Sequence, residues 1–303
     1  MELRHLRCFV AVAEEGHITG AAERLSMQQP PLSRLIKKIE SEVGALLFRR
    51  KARGVELTES GRAFYDKACA ILKDLDAALE MTRSTARGEQ GRLRVGVTAT
   101  SPFIPFVPRV IRKFREDFPL VACTVDEQLS IDLIEHLRSG RMDVAFMWTP
   151  PRDDVAVIPL IEEELVAALP AGHHLARTDG DIDEARISLA DLDGENFIVY
   201  GRRDGFGLFA ATIVACRASG FSPRFRQEAP RLAAALCHVA AGYGVCIVPS
   251  SIRRVMMEGV VYRRLGTRAD LKTTLFLSHR RGFASPVAAK FVELVRKEAK
   301  TNK

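Results

Sequence analysis

The spacing of apolar residues changes its period along the chain. Over 3–13, Leu6, Phe9, Val10 and Ala13 share one helical face. Between Ala21 and Gly44 two short helical patterns are separated by a break at 26–29. The second pattern carries Leu32, Leu35, Ile36, Ile39 and Val43, a stripe at i, i+3, i+4 and i+7. Pro30 and Pro31 suit its first turn, where the missing N–H has no helical partner anyway, and Gly44 suits its C-terminal stop. Leu46, Leu47 and Phe48 read as anchors that return the chain to the same core. Arg53 and Gly54 then form a turn before the alternating Val55-Glu56-Leu57, the outline of a small hairpin wing. Thr58 is a good N-cap for a proline-free helix running to about residue 87. Phe64, Ala68, Ile71, Leu75, Ala78 and Thr82 make a heptad seam along it. Such a seam packs either on a partner copy or on the helix's own domain.

Glycines at 88 and 91 end that pattern and read as a linker. Beyond it strands alternate with helices. Strands are predicted over 93–97, 121–127, 144–147, 155–160, 165–169, 197–200, 224–228, 245–248, 260–265 and 273–278. Helices are predicted over 106–116, 131–139, 206–218, 231–241 and 286–299. This alternation predicts an α/β fold with largely parallel sheets. A change of pattern over 150–164 divides it into two lobes joined by crossing strands. Ligands in such folds bind at the carboxyl ends of strands, here in the cleft between lobes.

Charge sharpens the reading of the N-terminal region. From Arg24 to Arg53 there are eight cations (Arg24, Arg34, Lys37, Lys38, Arg49, Arg50, Lys51, Arg53) against two anions, Glu40 and Glu42. Gln29, Ser33, Arg34, Lys37 and Lys38 leave a polar, cationic face on the second helix. A short helix, a tight turn and a second helix with such a face match helix-turn-helix geometry, in which the second helix reaches base edges in the major groove. DNA binding explains this face better than a solvated helix of mixed sign. The basic wing tip then meets backbone phosphates.

The whole chain, 303 residues with a net charge of +7, is long enough for two or three domains and permits a polyanionic partner. The first residues lack an apolar signal core, and no apolar run approaches the ~20 residues that cross a bilayer, so a cytoplasmic protein without membrane contact is expected. The six cysteines have no C-x-x-C spacing and read as small buried apolar residues, with a Cys237–Cys246 redox pair as the weaker alternative. His173-His174, with no carboxylate or cysteine nearby in sequence, reads as a surface loop, and no metal or cofactor is expected. Gly205-x-Gly207 and Gly242-x-Gly244 complete no dinucleotide fingerprint, and no Walker loop or G-x-S-x-G elbow is present. Asp126, Glu127 and Asp143 at strand ends lack a His or Cys partner at motif spacing, which disfavours the alternative of an α/β enzyme with an N-terminal regulatory module. The basic N-terminal region disfavours a bare solute-binding protein.

The run Ala21-Ala22-x-x-Leu25-x-x-x-Gln29-Pro30-x-x-Ser33-x-x-Ile36-x-x-Ile39-Glu40-x-x-x-Gly44-x-x-Leu47-Phe48-x-Arg50, continued by Val55-x-Leu57-Thr58-x-x-Gly61, closely resembles the DNA-binding region of LysR-type transcriptional regulators. The resemblance covers the whole chain and implies three parts. These are a winged helix-turn-helix domain at 1–58, a linker and dimerisation helix at 59–90, and a two-lobed, periplasmic-binding-protein-like α/β effector domain at 91–303. Lobe I would take about 91–161 and 267–303, and lobe II about 162–266. It implies DNA contacts by Gln29, Pro30, Pro31, Ser33, Arg34 and Lys37 in the groove and by Arg50, Lys51 and Arg53 on phosphates. It places a small-molecule effector, an aromatic or dicarboxylic acid, against Thr100, Ser101, Phe103, Ser130, Gly201, Arg202, Arg203 and Phe206. Implied partners are double-stranded promoter DNA, a second copy through the linker helix, a tetramer of such pairs, and RNA polymerase. One departure stands out: the family usually has Ser where this chain has Gln28, a weak N-cap, so capping of the recognition helix either shifts to Ser26 or is lost.

Overall fold

The computed structural model describes residues 1–51, 54–148, 155–177, 186–200, 207–266, 272–282 and 285–301. The chain divides into two compact units, Met1–Ser84 and Thr85–Lys303.

The first unit is built from α1 (Leu3–Glu15), α2 (Ile18–Arg24), α3 (Gln29–Val43), the hairpin β1 (Phe48–Lys51) and β2 (Gly54–Leu57), and the first turns of α4 (Glu59–Ala86). Leu6, Phe9, Val12, Leu32, Ile36, Ile39 and Leu47 form its core. Phe9 sits at the centre, 5.1 Å from the Phe48 ring and 4.9 Å, edge-on, from Phe64. α3 ends at Gly44 in the left-handed conformation (φ 77°), as its position past the stripe predicts. The Glu40 carboxyl then accepts the N–H groups of Leu47 at 2.9 Å and Phe48 at 3.1 Å, which pins the returning chain under the helix. Leu46 departs from expectation: it is 71% exposed, because the turn that buries Leu47 points its neighbour outward. Val43, at the end of the stripe, is also exposed.

Two glycines are dictated by close approach. Gly54 (φ 101°) would place a Cβ 2.3 Å from the Gly16 carbonyl, which itself accepts the Val55 N–H at 2.7 Å. A Cβ on Gly61 would lie 2.0 Å from the Leu47 carbonyl, so α4 can start against the turn only through glycine. Thr58 caps α4 as predicted: its Oγ1 accepts the Gly61 N–H at 2.9 Å and donates to the Leu46 carbonyl at 2.7 Å. Ala68 is buried in the unit's own core, with Phe64 and Leu72 packed against it, whereas Ile71, Ala78, Leu79, Met81 and Thr82 are exposed.

The second unit holds one mixed eight-stranded sheet and a separate two-stranded one. Its elements are β3 (Gly91–Val97), α5 (Phe106–Asp117), β4 (Val121–Glu127), α6 (Ser130–Arg138), β5 (Val144–Met147), β6 (Val155–Pro170), β7 (Arg186–Ser188), β8 (Asn196–Tyr200), α7 (Gly207–Ala218), β9 (Arg224–Ala229), α8 (Leu232–Ala240), β10 (Cys246–Pro249), β11 (Val260–Gly266), β12 (Lys272–Arg280) and α9 (Pro286–Thr301). The large sheet runs β4-β3-β5-β12-β6-β11-β7, with β10 also on β6, while β8 pairs with β9. β3 is parallel to β4 and β5, β8 to β9, and β11 to β7. The joining strands β6 and β12 pair antiparallel with their neighbours, so the sheet is mixed where largely parallel sheets were predicted.

The two strands predicted over 155–160 and 165–169 are one sixteen-residue strand. The polar run Glu162-Glu163-Glu164 continues it because its backbone stays paired with Lys272, Thr273 and Thr274 of β12. From Leu165 onward β6 pairs instead with β10 and β11, so this single strand crosses from one lobe to the other. Its apolar end alternates between two cores: Leu165, Ala167 and Leu169 enter one, Val166 and Ala168 the other. In lobe I, β5 does the same. Val144 and Phe146 face the cluster containing Phe114 of α5 and Phe291 of α9, while Ala145 and Met147 face Leu133 and Leu137 of α6.

Candidate functional site

Two surfaces carry the chemistry that the sequence singles out. On the first unit, α3 opens without a side-chain cap: Gln28 occupies the N-cap position with no capping hydrogen bond, and Pro30 and Pro31 lie in the first turn. Ser26 stands two residues upstream in the left-handed region (φ 51°), outside the cap position, so capping is lost rather than shifted. The prolines fix φ in the first turn and need no partner for the N–H they lack. Gln29, Pro30, Pro31, Arg34 and Lys37 are exposed and Ser33 is half-buried, on the side of α3 opposite Leu32, Ile36 and Ile39.

Ion pairing redistributes the charge counted along the sequence. Arg24 binds Glu14 at 2.7 Å and Glu15 at 3.3 Å. Lys38 reaches Glu42 at 4.0 Å, and Arg49 and Lys51 both close on Glu56. Glu14, Glu15 and Glu56 lie outside the window in which cations were counted, and folding brings them onto it. Among the described residues, Arg34, Lys37 and Arg50 make no ion pair. Arg53 lies outside the described residues.

On the second unit, the parallel strands β3, β4 and β5 end side by side. The chain leaves β3 for β4 on one side and later adds β5 on the other, which makes this end the switch point where α/β sheets open a crevice. Thr100 is buried and accepts the Trp148 Nε1–H at 2.7 Å. Ser101 is fully buried, and its hydroxyl lies 3.1 Å from both the Thr98 N–H and the Thr98 carbonyl. The Ser101 hydroxyl is therefore spent on the turn that follows β3. Ser130 is buried at the start of α6, and Phe103 is partly exposed. Phe103 lines a groove of about 450 Å³ with Ala99, Leu232, Leu236 and Met257, spanned by a 2.7 Å ion pair between Glu127 at the end of β4 and Arg231 at the start of α8. The Glu127 carboxyl is thus engaged, and Asp143 is likewise held by Arg94, with Nη2–Oδ1 at 2.9 Å. Gly201, Arg202, Arg203 and Phe206 lie outside the described residues.

Three polar groups near these strand ends were missed from sequence: Thr98 Oγ1 and Gln128 Oε1 are buried without a hydrogen-bond partner, and the buried Tyr200 hydroxyl has Thr100 beside it. Burial pushes the Tyr200 phenol well above its usual range, with Cys246 nearby as a smaller cause and the hydrogen bond with Thr100 opposing them, so it stays neutral. No sequence motif marks these groups, since each stands at or just past a strand end.

The cysteines are all free, so Cys237 and Cys246 form no disulfide. Cys8, Cys216 and Cys246 are buried as expected, but Cys237 is exposed. Burial pushes the Cys216 thiol up to about 11 and the Cys246 thiol to about 12. His173 and His174 stack at 4.4 Å, and His173 Nε2 lies 3.2 Å from the Glu195 carboxyl, a neighbour that sequence spacing did not reveal. These three side chains are close enough together to suggest an ion site. His173 Nδ1, however, accepts the Leu175 N–H at 3.2 Å, which puts the proton of the neutral ring on Nε2 and leaves no lone pair for a cation.

Residues 3–62 match the model of the bacterial regulatory helix-turn-helix protein of the lysR family, and residues 86–300 match the LysR substrate binding domain. The chain is 35% identical to the HTH-type transcriptional regulator BudR of Raoultella terrigena, covering 97% of this chain and 100% of that one. It is 34% identical to AlsR of Bacillus subtilis, over 97% and 95% of the two chains. Its structure resembles that of full-length CbnR complexed with its target DNA, with a TM-score of 0.82 and 28% identity over 99% of this chain and 100% of that one. These relatives are transcriptional regulators, and the family is non-enzymatic. The segment between the two matches, 63–85, falls within α4. No helix among the described residues is long and apolar enough to cross a membrane. With a helix-turn-helix match over 3–62 and a substrate-binding-domain match over 86–300, the chain belongs to the LysR family of DNA-binding transcriptional regulators, which bind promoter DNA and respond to small-molecule effectors.

Proposed function

We propose that α3 reads promoter DNA through Gln29, Pro30, Pro31, Ser33, Arg34 and Lys37, while Arg50, Lys51 and Arg53 of the wing hold backbone phosphates. The observation that carries this reading is that Arg34 and Lys37 stand exposed and free of acidic partners on one side of α3. Such groups have not exchanged their hydration for an internal ion pair and are available to phosphates and base edges. Lys51 must leave Glu56 to do the same. The DNA-binding domain then spans 1–58, the linker helix 59–90 and the effector domain 91–303. Two copies pair along the exposed apolar side of α4, which alone offers little to hold a helix in water. Pairs join into a tetramer, set two recognition helices on a partly palindromic site, and present a surface to RNA polymerase.

An organic acid, aromatic or dicarboxylic, enters the cleft at the strand ends. Support comes from the unpartnered Gln128 and Thr98 groups there, beside Thr100, Ser130, Phe103 and the buried Tyr200 hydroxyl. Gly201, Arg202, Arg203 and Phe206, which lie outside the described residues, join the proposed site on their sequence position alone. Its differential affinity for the lobe arrangements switches the DNA-bound assembly without any catalytic step.

Fluorescence anisotropy on the fragment upstream of the coding region tests the division of labour. Arg34→Ala should cost ~1–3 kcal/mol on the specific site alone. Arg53→Ala should weaken all sequences alike and flatten the salt dependence. Equal effects of both on specific and random DNA, or a chain that stays monomeric in sedimentation, would overturn the reading. Calorimetry with muconate and benzoate tests the effector class, which fails if neither gives heat.

A further inference from the structure

A second cavity, of about 900 Å³, shares no lining residue with the groove below the Glu127–Arg231 pair. Thr100, Ser101, Phe103 and Ser130 do not line it either. It opens where β6 changes partners, between the start of α5 and residues 250–264. Its lining is unusually charged for a cavity: four arginines (Arg109, Arg253, Arg254 and Arg264) against Glu163 and Glu164.

The two acids are already engaged. Glu164 faces Arg186 at 3.6 Å. Glu163 Oε1 accepts from Ser250 Oγ at 3.0 Å and from the Ser251 N–H. Among the described residues Arg254 and Arg264 make no ion pair, and Arg264 is half-buried. The positive charge is therefore in excess in a concavity, where field lines concentrate and anions collect.

Two further atoms give the site its specificity. Glu163 Oε2 and Ser251 Oγ are buried and have no hydrogen-bond partner, and Ser251 is only 8% exposed. Leaving such groups unpaired is costly, so native structures rarely do so without a bound group to satisfy them. Arginines ask for carboxylate or phosphate oxygens. Glu163 Oε2 can only accept from a donor, and a ligand hydroxyl supplies one.

We propose that this cavity is a second ligand site, distinct from the cleft at the strand ends, that takes a small polyanion carrying a hydroxyl: a hydroxylated polycarboxylate or a phosphate ester. Its walls come from both sides of the point where β6 crosses between lobes. A ligand here biases the lobe arrangement that the cleft ligand also senses, and the two occupancies are linked reciprocally.

Titration calorimetry on the full-length protein tests this with citrate, with tricarballylate (citrate without its hydroxyl) and with glucose 6-phosphate. The proposal expects heat from citrate or glucose 6-phosphate: the first identifies a polycarboxylate site, the second alone a phosphate-ester site. If citrate binds, tricarballylate should bind at least tenfold more weakly, and Glu163→Gln should erase that difference. Arg264→Gln should weaken binding tenfold or more, and Arg254→Gln, on an exposed turn, guards against a folding defect in the strand variant. No heat from citrate or glucose 6-phosphate, equal binding of citrate and tricarballylate, or affinity unmoved by both arginine substitutions would overturn the proposal.

Discussion

The side chains proposed for DNA along α3 stand on one side of a single fifteen-residue helix, all exposed except the half-buried Ser33. The groups proposed for the ligand cleft come instead from the ends of separate strands, from Thr98 past β3 to Tyr200 at the end of β8. The first surface is positioned by one helix and its local contacts, the second by the pairing order of a whole sheet. Their charges differ in kind as well. The α3 face keeps cations in water, where they retain their hydration until DNA arrives. The proposed cleft buries neutral polar atoms, where a matching ligand gains most from satisfying them.

The sharpest way to separate the two regions is to damage the core behind α3. Phe9→Ala removes the ring between Phe48 and Phe64 and should destabilise the first unit by about 3–5 kcal/mol, read as a shift in its denaturant midpoint. DNA binding should be lost while calorimetric heats at the cleft persist, and a common loss of both would break the comparison. Glu40→Ala should cost about 1–3 kcal/mol by stranding the Leu47 and Phe48 N–H groups, without touching the exposed side of α3.

A pH test addresses the second unit. The Cys246 thiol holds its proton up to about 12 in the folded chain, against an ordinary value of 9.0. A raised acid pKa means the folded state binds the proton more tightly, so its contribution is fully present below pH 9.0 and is lost as pH rises toward 12. Between pH 8 and 10.5 the wild type should lose about 2 kcal/mol more than Cys246→Ala in urea titrations. Parallel losses would place the thiol in a wetter setting than the core holding Val166 and Val248.

The smallest effect sharpens the charge argument. Lys37→Ala should reduce the slope of log affinity against log salt by about 1. Arg24→Ala should leave that slope as it is, because Arg24 is already neutralised by Glu14 and Glu15. Equal slopes for the two variants would show that ion pairing within the first unit does not decide which cations meet DNA.

The contrast also explains which parts could be foreseen. α3 was legible from Leu32, Ile36 and Ile39 on one side, prolines at its start and Gly44 at its end, since helix signals are local. The wing followed from the turn before Val55. Glu40, visible in the sequence only as part of a family pattern, has its reason in two hydrogen bonds to residues seven and eight positions on. The division of β6 into two strands failed because Glu162-Glu163-Glu164 reads as a break, while β12 holds it in the sheet.

The sequence by itself determined the helical unit, the cationic side of α3 and the α/β alternation, because each depends on the character and period of neighbouring residues. Tertiary structure decided which cations remain free, which strand ends meet, and where buried oxygens are left unpaired. Those outcomes depend on partners distant along the chain: Glu14 against Arg24, Trp148 against Thr100, Ser250 against Glu163. Periodicity carries no record of such pairings, since only the closed sheet and packed helices bring the groups within bonding distance.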